Sequence, residues 1–243
     1  MRAGLMERIR DMSPEDLAGQ LLMLGFEGTE ADSAARALEL RPAGLSLLPR
    51  NLTDAAQTAR LTSDLQQAMG ALGGEPLFLA ADQEGGAITA VAEGTTVFPG
   101  AMALGADGDS GLTRMVARAQ GLEARAMGVN LNYAPVADLN LDPDNPIIGV
   151  RSFGDEPAIV AGHVAAAVRG YWDAGILAAV KHFPGHGATK TDSHLGLPIL
   201  DLSLEELRRR ELVPFRAAIA AGIGAVMTAH IVYEALDDRR PAT

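Results

Sequence analysis

One stretch of the sequence concentrates the side chains that can do chemistry. Residues 181–198 read KHFPGHGATKTDSHLGLP and contain both lysines of the chain and three of its five histidines. The glycines and Pro184 predict an irregular loop there rather than a helix. Because loops of this length in compact domains are usually functional, the stretch is the first candidate for a site.

Within this loop, Asp192 and His194 stand two residues apart, so both side chains can point to the same side. A carboxylate beside an imidazole orients the ring and raises its basicity, which gives a general acid/base suited to neutral pH. Lys181 and His182 would act as donors that hold hydroxyl groups, and Asp82 would be a complementary acceptor from another strand. The pattern therefore predicts acid/base chemistry on a hydroxyl-bearing substrate.

A metal site is the alternative interpretation of the same loop. His182 and His186 are four residues apart, a spacing that suits paired zinc ligands only on a helix. Pro184 and the glycines beside it argue against a helix there. A mononuclear site in an irregular loop stays open as an alternative, and its ligands would be His182, His186, Asp192 and His194. We expect no metal and no other cofactor.

Parallel β/α units must position these residues, since short apolar runs alternate with helical patterns along the whole chain. Helix starts are indicated at Ser13-Pro14 with Asp16, at Asp54 with Gln57, and at Ser203 with Glu206. No linker or long repeat divides the chain, so we expect a single domain over residues 1–243. The predicted strands are Gln20 to Leu24, Gly44 to Leu48, Leu77 to Ala81, Val129 to Tyr133, Leu177 to Lys181 and Ala225 to Thr228.

Polar residues follow these strands at the points where ligands bind in parallel α/β folds. The segment at 82–86, DQEGG, follows the third strand, Asp138 and Asn140 follow the fourth, and Lys181 and His182 close the fifth. No glycine-rich phosphate-binding motif is present, which argues against a nucleotide ligand.

Composition excludes several classes of function. The chain of 243 residues has a net charge of -11, which disfavours nucleic acid and anionic membranes as partners. It has no cysteine, so disulfides, thiolate metal sites and cysteine nucleophiles are excluded. The sequence has neither a signal peptide pattern nor a membrane-spanning apolar run, and we expect a cytoplasmic protein.

The sequence resembles the family 3 glycoside hydrolases, and within them the bacterial β-N-acetylhexosaminidase branch. The resemblance covers nearly the whole chain, and the KHFPGHG…DSH loop is its most specific part. The fold it implies is a TIM-type (β/α) barrel, in agreement with the α/β pattern. The segments that carry it are DQEGG at 82–86, FPGAMALGA at 98–106, NYAPVADLN at 132–140, NPIIGVRSFG at 145–154, KHFPGHGATKTDSH at 181–194 and MTAHI at 227–231.

The resemblance implies a role for each matching residue. His194 would be the general acid/base, oriented by Asp192 on a mobile loop. The residues that would bind the hydroxyl groups of the terminal N-acetylated sugar are Asp82, Arg151, Lys181 and His182. The implied activity is retaining hydrolysis of terminal β-linked N-acetylhexosamine, including N-acetylglucosaminides such as peptidoglycan muropeptides, without metal or organic cofactor.

Two departures from the family pattern qualify this expectation. Ala87 stands where the family usually has an arginine after DQEGG. The aspartate nucleophile of the family lies on a seventh strand beyond MTAHI, and Asp237 and Asp238 do not match its motif. We therefore expect the last barrel strands to be missing and residues 1–243 alone to be inactive, since retaining hydrolysis needs a second carboxyl group. The alternatives are a glycoside phosphorylase of the same family and a non-catalytic sugar-binding remnant.

Overall fold

The computed structural model describes residues 2–190 and 196–243, and within the first helix it describes side chains from Met6 onward. It divides into two compact units. The first comprises Met1–Ala81, Ala90–Thr95 and Ala126–Asn130, and the second comprises Asp82–Thr89, Thr96–Arg125 and Leu131–Thr243. The candidate site described below lies in the second unit.

The first unit has a parallel three-stranded sheet with helices between its strands. The strands pair in the order β1, β2, β3, with Leu45 opposite Leu79. The long helix α4 buries Leu61, Leu65 and Met69 at helical spacing on one face. The elements are α1 (Arg2–Asp11), α2 (Pro14–Gly19), β1 (Met23–Leu24), α3 (Ala35–Leu38), β2 (Gly44–Leu47), α4 (Ala55–Ala71), β3 (Phe78–Ala81) and two short 3-10 helices, Ala31–Ala34 and Pro49–Asn51.

The second unit is built on three parallel strands, β6, β7 and β9, in that order. Two short ribbons accompany them, β4 with β5 and β8 with β10. The elements are β4 (Gln83–Gly85), β5 (Ile88–Thr89), α5 (Ala101–Asp107), α6 (Ser110–Ala126), β6 (Leu131–Asn132), the 3-10 helix Gly149–Arg151, α7 (Pro157–Ala174), β7 (Leu177–Phe183), β8 (Ile199–Leu200), α8 (Leu204–Arg209), α9 (Leu212–Ala220), β9 (Ala225–Thr228) and β10 (Val232–Tyr233).

An apolar core under the β7 strand supports the second unit. Val180 from β7 packs with Val160, Val164 and Val168 from α7 and with Phe215 from α9. The three valines of α7 recur every four residues, so one face of the helix is buried along its length. This packing fixes the strand whose end carries Lys181 and His182.

The predicted elements agree well with the structure. Each of the six predicted strands is present, with ends that differ by up to three residues, and β7 continues two residues beyond Lys181. The predicted helix starts are confirmed, because the side chains of Ser13, Asp54 and Ser203 accept hydrogen bonds from the backbone of the first helical turn. In the described part of the chain, no helix is long and apolar enough to cross a membrane.

Candidate active site

The segment that begins with Asp82 is held firmly against its neighbours in the second unit. The backbone of Gln83 and the side chain of Asn132 exchange two hydrogen bonds of 3.0 and 2.9 Å. The next carbonyl, that of Glu84, accepts a hydrogen bond from Gln120, and the Tyr171 hydroxyl donates to the Gln120 side chain. These contacts from β6, α6 and α7 fix where the acidic side chains of the segment can reach.

Lys181 lies near the end of β7 and meets two of these acidic side chains. Its Nζ is 2.5 Å from Oδ1 of Asp82 and 2.6 Å from Oε1 of Glu84. The Lys181 side chain is only 2% exposed. Burying an ammonium group costs free energy unless the group is paired. The two carboxylates therefore allow Lys181 to be buried. Among the described residues they use two of its three N–H donors.

Glu84 also binds Arg151, through a two-pronged ion pair. Arg151 Nη2 donates to Oε1 at 2.7 Å and Nε donates to Oε2 at 2.9 Å. The Glu84 side chain is 7% exposed and that of Arg151 is 13% exposed. Burial alone raises the pKa of Glu84, but the hydrogen bonds and charges of Arg151 and Lys181 hold that pKa below its ordinary value. Glu84 is therefore ionised, and it pairs with two cations at once, one of which it shares with Asp82.

His182 follows Lys181 and has a carboxylate of its own. Its Nδ1 lies 2.6 Å from Oδ2 of Asp138, a side chain with no exposed surface. Oδ1 of the same carboxylate accepts a hydrogen bond of 2.7 Å from the backbone N–H of His186. Burial raises the pKa of Asp138, but the charge and hydrogen bond of His182 outweigh this effect and leave the pKa lowered.

The chain after β7 is fastened to the rest of the second unit up to Thr189. The Asn145 amide donates hydrogen bonds of 3.0 Å to the carbonyls of His186 and Thr189. The backbone of Gly187 approaches the Leu139 carbonyl so closely that a Cβ there would lie 1.4 Å from its oxygen, so only glycine fits. The Tyr233 hydroxyl donates to the Gly185 carbonyl.

The structure brings together the substrate-binding residues expected from the sequence. Asp82 contacts Lys181 directly, and Arg151 joins them through Glu84, while His182 adjoins Lys181. Arg151 is thus not a surface residue, and its ion pair is largely buried. The expected acid/base pair, Asp192 and His194, lies outside the described residues.

The metal alternative involves two described residues, His182 and His186. His182 and His186 do lie together, with ring centroids 5.7 Å apart in an edge-on arrangement. Two of the four proposed ligands, Asp192 and His194, fall outside the described chain. Within the part that is described, no group of three or more metal-binding side chains comes together.

Two residues of the site were not assigned a role from the sequence. Glu84 stands in the same DQEGG segment as Asp82, so its position was flagged, but its pairing with Arg151 and Lys181 depends on contacts across 67 and 97 residues of sequence. Asp138 was noted as a polar residue after a strand, and its link to His182 spans 44 residues. Only folding shows which of these charges meet.

Comparison with known proteins identifies the family. A family model described as the glycosyl hydrolase family 3 N terminal domain matches residues 15–243. The chain belongs to this family. It is 43% identical over 204 residues to beta-hexosaminidase A of Pseudoalteromonas piscicida, a match that covers 81% of this chain and 34% of that protein.

Solved structures of family 3 proteins are similar over most of the chain. A family 3 beta-N-acetylglucosaminidase from Paenibacillus sp. superposes with a TM-score of 0.92 at 47% identity, covering 95% of this chain and 44% of that one. NagZ from Neisseria gonorrhoeae, in complex with N-trifluoroacetyl-D-glucosamine, gives a TM-score of 0.83 at 33% identity, covering 90% of this chain and 66% of that one. The chain therefore spans from about a third to two thirds of the length of these relatives.

These similarities confirm the family expected from the sequence motifs and the TIM-barrel-like α/β class of fold. The absence of the last barrel strands and a single domain over residues 1–243 stay predictions. The family 3 glycosidase motifs DQEGG and KHFPGHG thus supply the carboxylates, the lysine and the histidine that meet in the second unit.

The first prediction concerns the buried carboxylate of Glu84. Glu84→Gln removes the charge that pairs with Arg151 and, together with Asp82, with Lys181. Breaking a buried ion pair in this way typically costs about 3–5 kcal/mol. Because the pKa of Glu84 is lowered in the folded protein, its contribution is present above the ordinary value of 4.5 and is lost as pH falls through the folded value. The difference in unfolding free energy between wild type and variant should therefore shrink in acid.

Urea unfolding followed by circular dichroism, at neutral pH and in acid, measures this difference. Glu234→Gln is the matched control, since Glu234 lies exposed. A Glu84→Gln variant as stable as the control at neutral pH would contradict the assigned ion pairs.

Proposed function

We propose that this chain binds the terminal N-acetylhexosamine of a saccharide and carries much of the active site of a retaining β-N-acetylhexosaminidase. The observation that carries the proposal is the meeting of Asp82, Arg151, Lys181 and His182 in one charged cluster, on motifs of a family whose relatives are named beta-hexosaminidase. NagZ from Neisseria gonorrhoeae, one of the proteins with a similar fold, was solved in complex with N-trifluoroacetyl-D-glucosamine.

The chemistry of the cluster suits a neutral sugar. A sugar hydroxyl both donates and accepts, and it is held best between a charged donor and a charged acceptor. The Asp82 side chain is 35% exposed and can accept from a hydroxyl, while Lys181 and Arg151 supply donors. Because carboxylates and cations nearly balance, the site does not require a charged ligand.

The acid/base step is assigned to His194, oriented by Asp192. In this proposal His194 protonates the glycosidic oxygen as the bond to the leaving group breaks, and a carboxylate attacks the anomeric carbon to form a glycosyl-enzyme ester. His194 then removes a proton from the water that cleaves the ester. The substrates would be N-acetylglucosaminides, including muropeptide fragments met in the cytoplasm, and no metal or organic cofactor takes part.

The second prediction tests the sugar site on the 243-residue chain itself. Lys181→Ala and His182→Ala should each weaken binding of N-acetylglucosamine by about 1–3 kcal/mol, since each leaves a desolvated sugar hydroxyl without its partner. Isothermal titration calorimetry measures the affinity. Lys190→Ala is a closely matched control, because Lys190 is the only other lysine and its side chain is 85% exposed.

The control should bind the sugar as tightly as the wild type does, and circular dichroism verifies that each variant is folded. Unchanged affinity in both site variants would place the sugar elsewhere and reject the proposal.

The third prediction concerns His194 and uses a form of the protein that turns over substrate. His194→Ala should lose most activity on glycosides with alkyl leaving groups and much less on activated aryl glycosides, because only poor leaving groups need protonation. Asp192→Ala should show the same bias more mildly. Steady-state kinetics on the two substrate classes measures the ratio, with Ser193→Ala as a control within the same loop.

Equal losses on both substrate classes would remove His194 from the acid/base role.

The same reactions run with and without phosphate separate hydrolysis from phosphorolysis, since a phosphorylase releases the sugar 1-phosphate. Our expectation that residues 1–243 alone lack turnover stays a prediction, and detectable turnover by that polypeptide would contradict it.

A further inference from the structure

Asp138 is the most deeply buried acidic group near the candidate site, and its contacts go beyond balancing charge. Its carboxylate accepts from the backbone N–H of His186 at 2.7 Å and lies 3.3 Å from the backbone N–H of His182. The remaining contact, of 2.6 Å, joins Oδ2 to Nδ1 of the His182 ring. The carboxylate thus holds both the strand end and the loop that follows it.

These contacts determine where the ring proton of His182 sits. An ionised carboxylate can only accept hydrogen bonds, so at 2.6 Å the ring nitrogen facing it must carry the hydrogen. In a neutral imidazole with its proton on Nδ1, the other nitrogen, Nε2, has a lone pair and accepts. The backbone N–H of His186 donates to the same carboxylate, which agrees with its being ionised.

We propose that Asp138 is a positioning residue that fixes His182 with its proton on Nδ1, so that Nε2 accepts a hydrogen bond from a hydroxyl of the bound sugar. This inference rests on the proposed sugar site and assigns one contact within it. In the described part of the chain, the hydrogen bonds of the ring involve Nδ1 only, and the His182 side chain is 18% exposed. His182 would thus be an acceptor, rather than the donor that the sequence suggested.

The arrangement gives the cluster alternating hydrogen-bonding character. Lys181 can only donate and the Asp82 carboxylate can only accept, while His182 would add an acceptor beside the lysine. Neighbouring hydroxyls on a sugar ring need such alternation, because each can donate one hydrogen bond and accept others. A His182 with its proton on Nε2 would instead place two donors side by side.

The proton position can be measured directly in the ligand-free 243-residue chain. Long-range proton–nitrogen correlation spectra at about pH 8, where an ordinary histidine is neutral, distinguish the two ring nitrogens. His182→Asn identifies the His182 signals by their loss. We expect the proton on Nδ1 in the wild type and on Nε2 in Asp138→Asn, since the amide can donate to Nδ1. A wild-type proton on Nε2 would overturn the proposal, as would an unchanged position in Asp138→Asn.

A double-mutant cycle on N-acetylglucosamine binding tests whether Asp138 acts through His182. Asp138→Asn should weaken binding about tenfold, as expected for loss of one hydrogen bond to a sugar hydroxyl. His182→Asn keeps an N–H that can face Asp138 but lacks Nε2, and it should weaken binding by a similar factor. The double variant should then bind no more weakly than His182→Asn alone. Independent, multiplicative losses would show that Asp138 acts otherwise and would reject the proposal.

Further variants separate this proposal from the others. Asp142→Asn, in the neighbouring loop, is the control and should leave affinity unchanged. If Lys181→Ala weakens binding while Asp138→Asn does not, the sugar site stands and the role of Asp138 fails. If the wild type binds no N-acetylglucosamine, both fail. If Asp138→Asn does not fold, the proton position in the wild type and the stability of two His182 variants still test the role of Asp138. His182→Gln should leave Asp138 unpaired and lower the stability, whereas His182→Asn should not.

Discussion

A single buried carboxylate sets the conditions for the candidate site. Glu84 accepts hydrogen bonds from Lys181 and from two nitrogens of the Arg151 guanidinium, and without it Arg151 would lose its carboxylate partner and Lys181 would keep only Asp82. Leaving a buried charge without its partner costs more free energy than the intact pair contributes. The burial of the cations therefore depends on the carboxylate. Gln120 donates to the backbone carbonyl of this residue and accepts from the Tyr171 hydroxyl, which links the site to helices α6 and α7.

A second buried carboxylate, Asp138, has a similar role in the loop that follows β7. It joins the ring of His182 to the backbone of His186, and Asn145 then fastens the chain as far as Thr189. The chain leading to Asp192 and His194 therefore starts from a rigid base. A binding side fixed in this way can hold a substrate before the proposed acid/base step starts.

Much of the fold could be predicted, because strands and helix starts are encoded locally. Apolar runs such as that at 177–181 and caps such as Ser203 with Glu206 need only neighbouring residues. The clustering of Lys181 and His182 was visible for the same reason.

Arg151 was assigned only through family resemblance, since no spacing rule ties it to Lys181. The pairings of Glu84 and Asp138 could not be predicted, because they depend on which strand ends lie together. The division into two units also left no mark in composition, as the first unit is assembled from separate stretches.

The central claim is that the cluster around Lys181 binds the terminal sugar. A crystal structure of this chain with N-acetylglucosamine tests it most directly. The account predicts the sugar with its hydroxyls within hydrogen-bonding distance of the Asp82 carboxylate, Lys181 Nζ and His182 Nε2. A sugar bound elsewhere on the chain, with these three groups making no contact to it, would contradict the account.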